Sequence, residues 1–238
     1  MAKDSILVLG GTGPAGICLL RELVFRNLKA VAFARTPSKI PADLTSNPLI
    51  KVVKGGMDDA EALSTALSEC HTVVSLLGPN ASTTLSTGTE YPDMYRTVLS
   101  AMRRQGVRRI FAMGTVSIYQ PEDETSILRW LMATLVRLAV HKAWLNFISI
   151  QKLFEGDREA TRDIDWTVYR IGFIQGGGED AKTWAQERDD GKTFAGPVGA
   201  SGWGLSQKRA ALTRWLVDVA ETGAPELIGK MPAVSKLN

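Results

Sequence analysis

Strand-like apolar runs alternate with helical stretches along most of the chain, and that alternation predicts an α/β fold. The first apolar run ends in a glycine cluster that opens directly into a helix, and no internal repeat or low-complexity linker divides the sequence. Together these features predict a doubly wound, mostly parallel sheet covered on both faces by helices. Residues 1–238 are expected to form a single domain with a small C-terminal cap.

Each element follows from local pattern. Ser5–Leu9 is an aliphatic run with the character of a buried strand. From Pro14 to Asn27, Ile17, Leu20, Val24 and the adjoining Leu28 recur at helical spacing, and Pro14 suits a first helical turn. Ala30–Ala34 is a second strand that stops at Arg35, and Ile50–Val53 a third. Asp59–Leu67 reads as a helix with Asp58 as its cap. Thr72–Leu77 is the next strand, followed by Gly78, Pro79 and a polar Ser/Thr-rich loop. Tyr91–Gln105 then reads as a helix and Arg109–Met113 as a strand, ahead of a long helical stretch. Trp166–Arg170 is a strand, and Ser206–Glu221 an amphipathic helix. Between them Gly176–Gly204 is rich in Gly, Asp and Lys and has no periodicity, so residues 172–204 are expected to form a loop or lid.

Composition narrows the function classes. With 45% hydrophobic and 22% charged residues the chain has globular composition, which excludes wholesale disorder. Its 22 Gly follow no period and it has only 2 Cys, which excludes collagen-like and disulfide-scaffold classes. Cys18 and Cys70 either pair or, more simply, stay as free thiols in a reducing cytosol. The net charge of +3 is scattered, and Arg103/Arg104 and Arg108/Arg109 flank a turn rather than form a stripe, so no nucleic-acid partner is expected. The apolar stretch Ile127–Val140 is broken by Arg129 and Arg137 and is too short to span a bilayer. The start of the chain lacks a cleavage-site pattern after Lys3, so a cytoplasmic protein with no membrane partner is expected. Nothing in the sequence sets its oligomeric state.

Gly10-Gly11-Thr12-Gly13-Pro14-Ala15-Gly16 carries the most chemistry. It reads as G-x-x-G-x-x-G from Gly10 or as G-x-G-x-x-G from Gly11, after a strand and before a helix, which is the setting of a dinucleotide fingerprint. Early glycines allow a tight turn with positive φ, and missing side chains let a diphosphate approach the backbone. The first-turn amides then face that anion, and Gly16 lets the helix pack closely. An ordinary glycine-rich turn would use the same residues, but its place after the first strand of an alternating chain favours the dinucleotide. Where NAD-preferring sites have an acid after the second strand, this chain has Arg35, followed by Thr36, Ser38 and Lys39. A guanidinium attracts a 2′-phosphate and bonds it through two N–H groups, which favours NADP(H); a solvated strand-end Arg is the plainer alternative. Met57 is placed to cover the adenine, and Asp58 either accepts from its exocyclic amine or simply caps a helix. Leu77 and Gly78 lie at the carboxyl end of the sheet, with Gly78 allowing close approach of the cofactor.

These segments, with Asp165-Trp166-Thr167-Val168-Tyr169-Arg170-Ile171-Gly172-Phe173, make the chain resemble an atypical short-chain dehydrogenase/reductase of the NmrA-like branch over nearly its whole length. The resemblance implies a Rossmann-like fold and an NADP cofactor. It departs from the family at Ile171, where Pro is usual. Family members with full dehydrogenase chemistry carry a Ser after the fifth strand and a Tyr-x-x-x-Lys on the next helix. Counting back from Trp166 places that lysine at Lys152, as a ligand of the nicotinamide ribose, and the tyrosine at Ile148, which cannot move a proton. The serine position reads Gly114-Thr115, so Thr115 is expected to replace the hydroxyl, with Ser117 nearby and Tyr119 reaching in from another direction.

Other groups offer less. His141 and His71, the 2 histidines, read as structural or surface groups, and Glu155 and Asp157 as solvated. Paired His/Cys spacing is missing, so no metal is expected, and no G-x-S-x-G elbow occurs. Core packing explains some of Trp130, Leu131, Leu135, Trp144, Phe147, Trp184, Phe194 and Trp203, but Trp184 and Trp203 fall in a polar, glycine-rich stretch, so the group is expected either to wall a greasy cavity for a small hydrophobic substrate or to pack against another subunit. Three functions follow: an NADPH-dependent reductase of a small apolar carbonyl or conjugated substrate, a non-redox NADP-binding regulator, and a redox-neutral isomerase or cyclase.

Overall fold

The structure is a computed structural model that describes residues 3–79, 87–124, 134, 137–177 and 179–238. Its main sheet is built from β1 (Ser5–Leu9), β2 (Lys29–Ala34), β3 (Ile50–Lys54), β4 (Cys70–Ser75), β5 (Arg109–Thr115), β6 (Asp165–Ile171), β8 (Thr193–Gly196) and β10 (Ala233–Lys236). The 8 strands run in the order β3-β2-β1-β4-β5-β6-β10-β8. All pairs are parallel except β10 with β8, so the sheet is doubly wound with one antiparallel edge. Strand order reverses between β1 and β4, and the two chains leaving that point diverge to open a crevice.

Alternation within the strands sorts the core into two halves. Leu7 and Leu9 of β1 face a layer made by α3 (Ala60–Leu67), α4 (Glu90–Gln105) and α5 (His141–Gly156). Ile6 and Val8 face α1 (Pro14–Phe25) and α7 (Arg209–Thr222) on the other side. All five residues of β1 are buried, as a strand covered on both faces requires. Cys18 in α1 and Cys70 in β4 are both buried free thiols, and burial pushes each up to about 12.

Several expectations are corrected. Asp59, not Asp58, caps α3: its side chain accepts from the Ala62 amide at 2.9 Å. Ser206–Lys208 is not helical but forms β9, which pairs in parallel with β7 (Phe173–Gln175), and α7 begins only at Arg209. The segment expected as a loop contains α6 (Ala181–Glu187) and β8. Non-local partners explain this order. Trp184 packs against Cys18 and Ala210, and meets Phe25 edge-on at 5.6 Å, so it is core and not a cavity wall. Arg188 then ties α6 to the buried Glu22 of α1 at 3.0 Å. Most of the apolar stretch from Ile127, including Trp130, Leu131 and Leu135, lies outside the described residues, as does the polar loop at 80–86. No helix among the described residues is long and apolar enough to cross a membrane.

A buried ion pair holds the rim beyond β5 and β6. Arg170 and Asp123 are fully buried and meet through two bonds, at 2.6 and 2.8 Å. The guanidinium also donates to the carbonyls of Ile118 and Met231, while the carboxylate accepts from the amides of Gln120 and Val198. Burial raises the Asp123 carboxyl, but Arg170 and the two amides outweigh it and hold the group below the ordinary carboxylate range. A depressed carboxylate contributes stability above its unfolded pKa and loses it as pH falls through the folded value, so this rim weakens in acid. Asp123→Ala, which strands a buried guanidinium, is expected to cost about 3–5 kcal/mol in urea denaturation at neutral pH. A loss under about 1 kcal/mol would contradict the role given to the pair.

Candidate functional site

Gly10 leaves β1 with φ +82, a conformation that side-chain-bearing residues rarely adopt. A Cβ there would also sit 3.1 Å from the Leu76 backbone at the end of β4. The turn closes with the Gly13 amide donating to the Gly10 carbonyl at 3.1 Å. A Cβ on Gly16 would lie 2.2 Å from that same carbonyl, so α1 can start this close only with glycine. The first bond of α1 runs from the Ile17 amide to the Gly13 carbonyl, which leaves the Ala15 and Gly16 amides with no acceptor inside the helix. They lie in the first turn of α1, where an anion is best received.

Two cavities lie along this carboxyl edge. One, of about 400 Å³, is lined by Gly10, Gly13, Pro14, Ala15 and Gly16 on one side. Its further wall is Leu76, Gly78, Pro79, Met113, Thr115, Phe147, Ile171, Gly172 and Ile174, with Arg209 at its edge. The other, of about 340 Å³, is lined by Arg35, Met57, Asp58 and Leu77 together with residues of α4 such as Glu90, Tyr91 and Met94. Leu76, Leu77 and Gly78 are consecutive, so the two spaces flank a single strand end. An elongated ligand with an anionic centre fits such a row, with a diphosphate at the glycine turn and an aromatic base between Met57 and Leu77.

Buried phenols fix that strand end. Tyr169 donates to the Ser75 carbonyl at 2.8 Å, and Tyr95 donates to the Leu77 carbonyl at 3.1 Å. Tyr95 Oη also lies 2.9 Å from Ser75 Oγ. With its one proton on Leu77, Tyr95 accepts from Ser75, whose Oγ in turn accepts from the Leu77 amide. Burial pushes Tyr95 up to about 12 and also raises Tyr169 well above the ordinary phenol value, so both remain neutral donors at physiological pH.

The structure gathers most of the expected residues and separates others. Gly10, Gly13, Pro14, Ala15, Gly16, Gly78 and Thr115 line the first cavity; Arg35, Met57, Asp58 and Leu77 line the second. Thr12 belongs to the same turn but lines neither. Gly78 does more than admit a ligand, since a Cβ there would come within 2.3 Å of the Met113 Cε. Lys152 is exposed on α5 and Tyr119 is 61% exposed on the loop after β5; neither is among the residues lining these two cavities. The α5 side chain that faces the cavity is Phe147, one position before Ile148, and one turn further on stands Gln151, which donates to the Tyr119 carbonyl. Of the expected aromatic wall, Phe147 is the residue found in the lining of these two cavities. His141 stacks on Trp144 at the start of α5, and Glu155 accepts from Gln120. Among the described residues no cluster of His, Cys, Asp and Glu could hold a metal.

The turn at Gly10 makes a stability prediction. Gly10→Ala combines a left-handed Cβ with a close approach to Leu76 and is expected to cost about 1–2 kcal/mol or more, read as a fall in Tm. An unchanged Tm would mean that the turn is not held in this conformation.

A family model described as NAD(P)H-binding matches residues 10–221. No curated protein matches the sequence. Among solved structures, a short-chain dehydrogenase/reductase from Veillonella parvula in complex with NADP is similar, with a TM-score of 0.72 at 15% identity over 98% of this chain and 94% of that one. An oxidoreductase from Lactococcus lactis gives 0.70 at 17% identity, over 98% and 90% of the chains. An anaerobillin reductase from Escherichia coli O157:H7 gives 0.68 at 16%, over 98% and 97%. At these identities the structural likeness speaks for the fold alone. The glycine turn, the sheet order and the extent of the family match lead to one assignment: the chain belongs to the NAD(P)H-binding family of Rossmann-like proteins.

Proposed function

We propose that the protein is a cytoplasmic NADPH-dependent reductase of the NmrA-like branch, acting on a small hydrophobic carbonyl or conjugated, enone- or quinone-like substrate. One observation carries the reading. The wall next to the glycine turn is apolar, made of Met113, Phe147, Ile171 and Ile174, and Thr115 is the hydroxyl-bearing residue among those lining it. When bound, NADPH supplies a hydride from the nicotinamide C4.

The chain's own residues have three tasks. The glycine turn and the Leu77–Gly78 strand end hold the dinucleotide. The apolar wall favours a flat apolar acceptor over a sugar or an acid. Thr115 Oγ1 accepts from the Ser117 amide at 3.3 Å, which leaves its proton for an oxygen of the substrate. A threonine hydroxyl polarises that oxygen without giving up its proton, so water delivers the proton after hydride transfer. A conjugated acceptor, whose anion is delocalised, tolerates that order best. Tyr119 and Lys152, exposed and not among the residues lining the two cavities, are given no chemical step.

Arg35 sets the cofactor preference. It shares a cavity with Met57 and Asp58, at the far end from the glycine turn, where a guanidinium fork suits a 2′-phosphate. Ile148 at the position expected for the phenol also favours a second reading, a non-redox protein that senses NADP. Equal binding of NADP and NADPH with no turnover of any substrate would select it, and product formed without consumption of NADPH would point to an isomerase or cyclase.

Following the absorbance of reduced nicotinamide over a panel of quinones, enones and aldehydes tests the proposal. NADPH is expected to be consumed with at least one apolar conjugated member. Arg35→Glu is expected to raise the Kd for NADPH by about tenfold or more and to leave NADH little changed; equal losses would remove this role. Thr115→Val is expected to lower kcat about tenfold at unchanged NADPH affinity, the size of one lost hydrogen bond in the transition state. An unchanged kcat would show that Thr115 does not touch the reacting oxygen.

A further inference from the structure

Arg209 stands at the edge of the glycine-turn cavity, and among the described residues it is the one charged side chain lining it. Its place in α7 is electrostatically unfavourable. It occupies the first turn, where the helix presents its positive end, and that turn holds no acidic residue. The preceding Lys208 is compensated by Glu187 at 3.0 Å. No carboxylate among the described residues pairs with Arg209; its Nη1 donates instead to the neutral carbonyls of Gly176 and of Gly177, the latter at 2.7 Å. Nε and Nη2 remain as donors on the same planar fork. Ala15 and Gly16 of α1, whose amides have no acceptor in the helix, border the same cavity, so a helix N-terminus and Arg209 share it.

Such a combination stabilises a doubly negative group. We propose that Arg209 is the side-chain cation of the diphosphate subsite, bridging the bound diphosphate to the Gly176–Gly177 turn that follows β7. Nη1 keeps the two carbonyls while Nη2 and Nε bond the phosphate oxygens. Cofactor binding thereby fixes the turn beyond β7, which carries Ile174 of the substrate-side wall. This rests on the cavity being a dinucleotide site.

Equilibrium binding of three probes separates the two ideas: NADPH, ADP-ribose, which keeps the diphosphate without the nicotinamide, and 2′-AMP, which has adenine and the 2′-phosphate but no diphosphate. Arg209→Ala is expected to weaken NADPH and ADP-ribose about tenfold or more and to leave 2′-AMP unchanged. Arg209→Lys, which keeps the charge but not the fork, is expected to fall between. NADPH and ADP-ribose affinities equal to wild type in Arg209→Ala would overturn the proposal and leave the dinucleotide site standing. A parallel loss of 2′-AMP would also overturn it, as general damage to the fold. Wild-type protein that binds neither NADPH nor ADP-ribose would overturn the dinucleotide site itself.

Discussion

The close approach of the Gly10 turn to the Leu76 backbone is the contact on which the rest of the site depends. It occurs where strand order reverses, between β1 and β4, so it fixes the width of the crevice that a parallel sheet leaves at its carboxyl end. Both sides are rigid for separate reasons. On the β1 side, Gly10 and Gly16 allow a turn and a helix start that no Cβ would permit. On the β4 side, Tyr95 and Tyr169 hold the backbone of Ser75 and Leu77 from within the core. Two phenols that stay protonated far above neutral pH make this anchoring insensitive to physiological pH.

From that contact the site extends in two directions with different chemistry. Towards β2 and β3 it is open and polar at Arg35 and Asp58 and apolar at Met57 and Leu77, a setting for a charged nucleotide end. Towards β5 and β6 it is apolar, and Thr115 alone interrupts the side-chain wall before Arg209. The rim on that side is tied to the core by the Arg170–Asp123 pair, which joins β6 to the 118–124 loop and to Val198. Burying such a pair is costly, and what it provides here is a fixed position for the segments that surround the wall.

Much of this was legible because it is local. A glycine turn between a strand and a helix, an arginine after the second strand and a Leu-Leu-Gly-Pro at a strand end each announce their geometry within a few residues. The strands β7, β8, β9 and β10 were not legible, since runs of three or four residues acquire their conformation from partners distant in sequence. Trp184 misled for the same reason: its polar neighbourhood in sequence becomes a packed contact with α1 and α7 in space. On α5, counting back from Trp166 crosses residues 157–164, whose length no helical period controls, and a one-residue offset turns a side chain by about 100°. The buried Ile150 and Phe154, three and seven residues past Phe147, mark the face of α5 to which Phe147 belongs. Arg209 falls within the predicted amphipathic helix Ser206–Glu221, and its signal in the structure is the sign of its charge at a helix start.

The most direct test of the account is a crystal structure of the protein grown with NADPH. The account predicts the diphosphate within hydrogen-bond reach of the Ala15 and Gly16 amides, the 2′-phosphate at Arg35, and the nicotinamide against the wall of Met113, Phe147 and Thr115. A nucleotide bound elsewhere, or one whose diphosphate lies away from the turn at Gly10–Gly16, would contradict it.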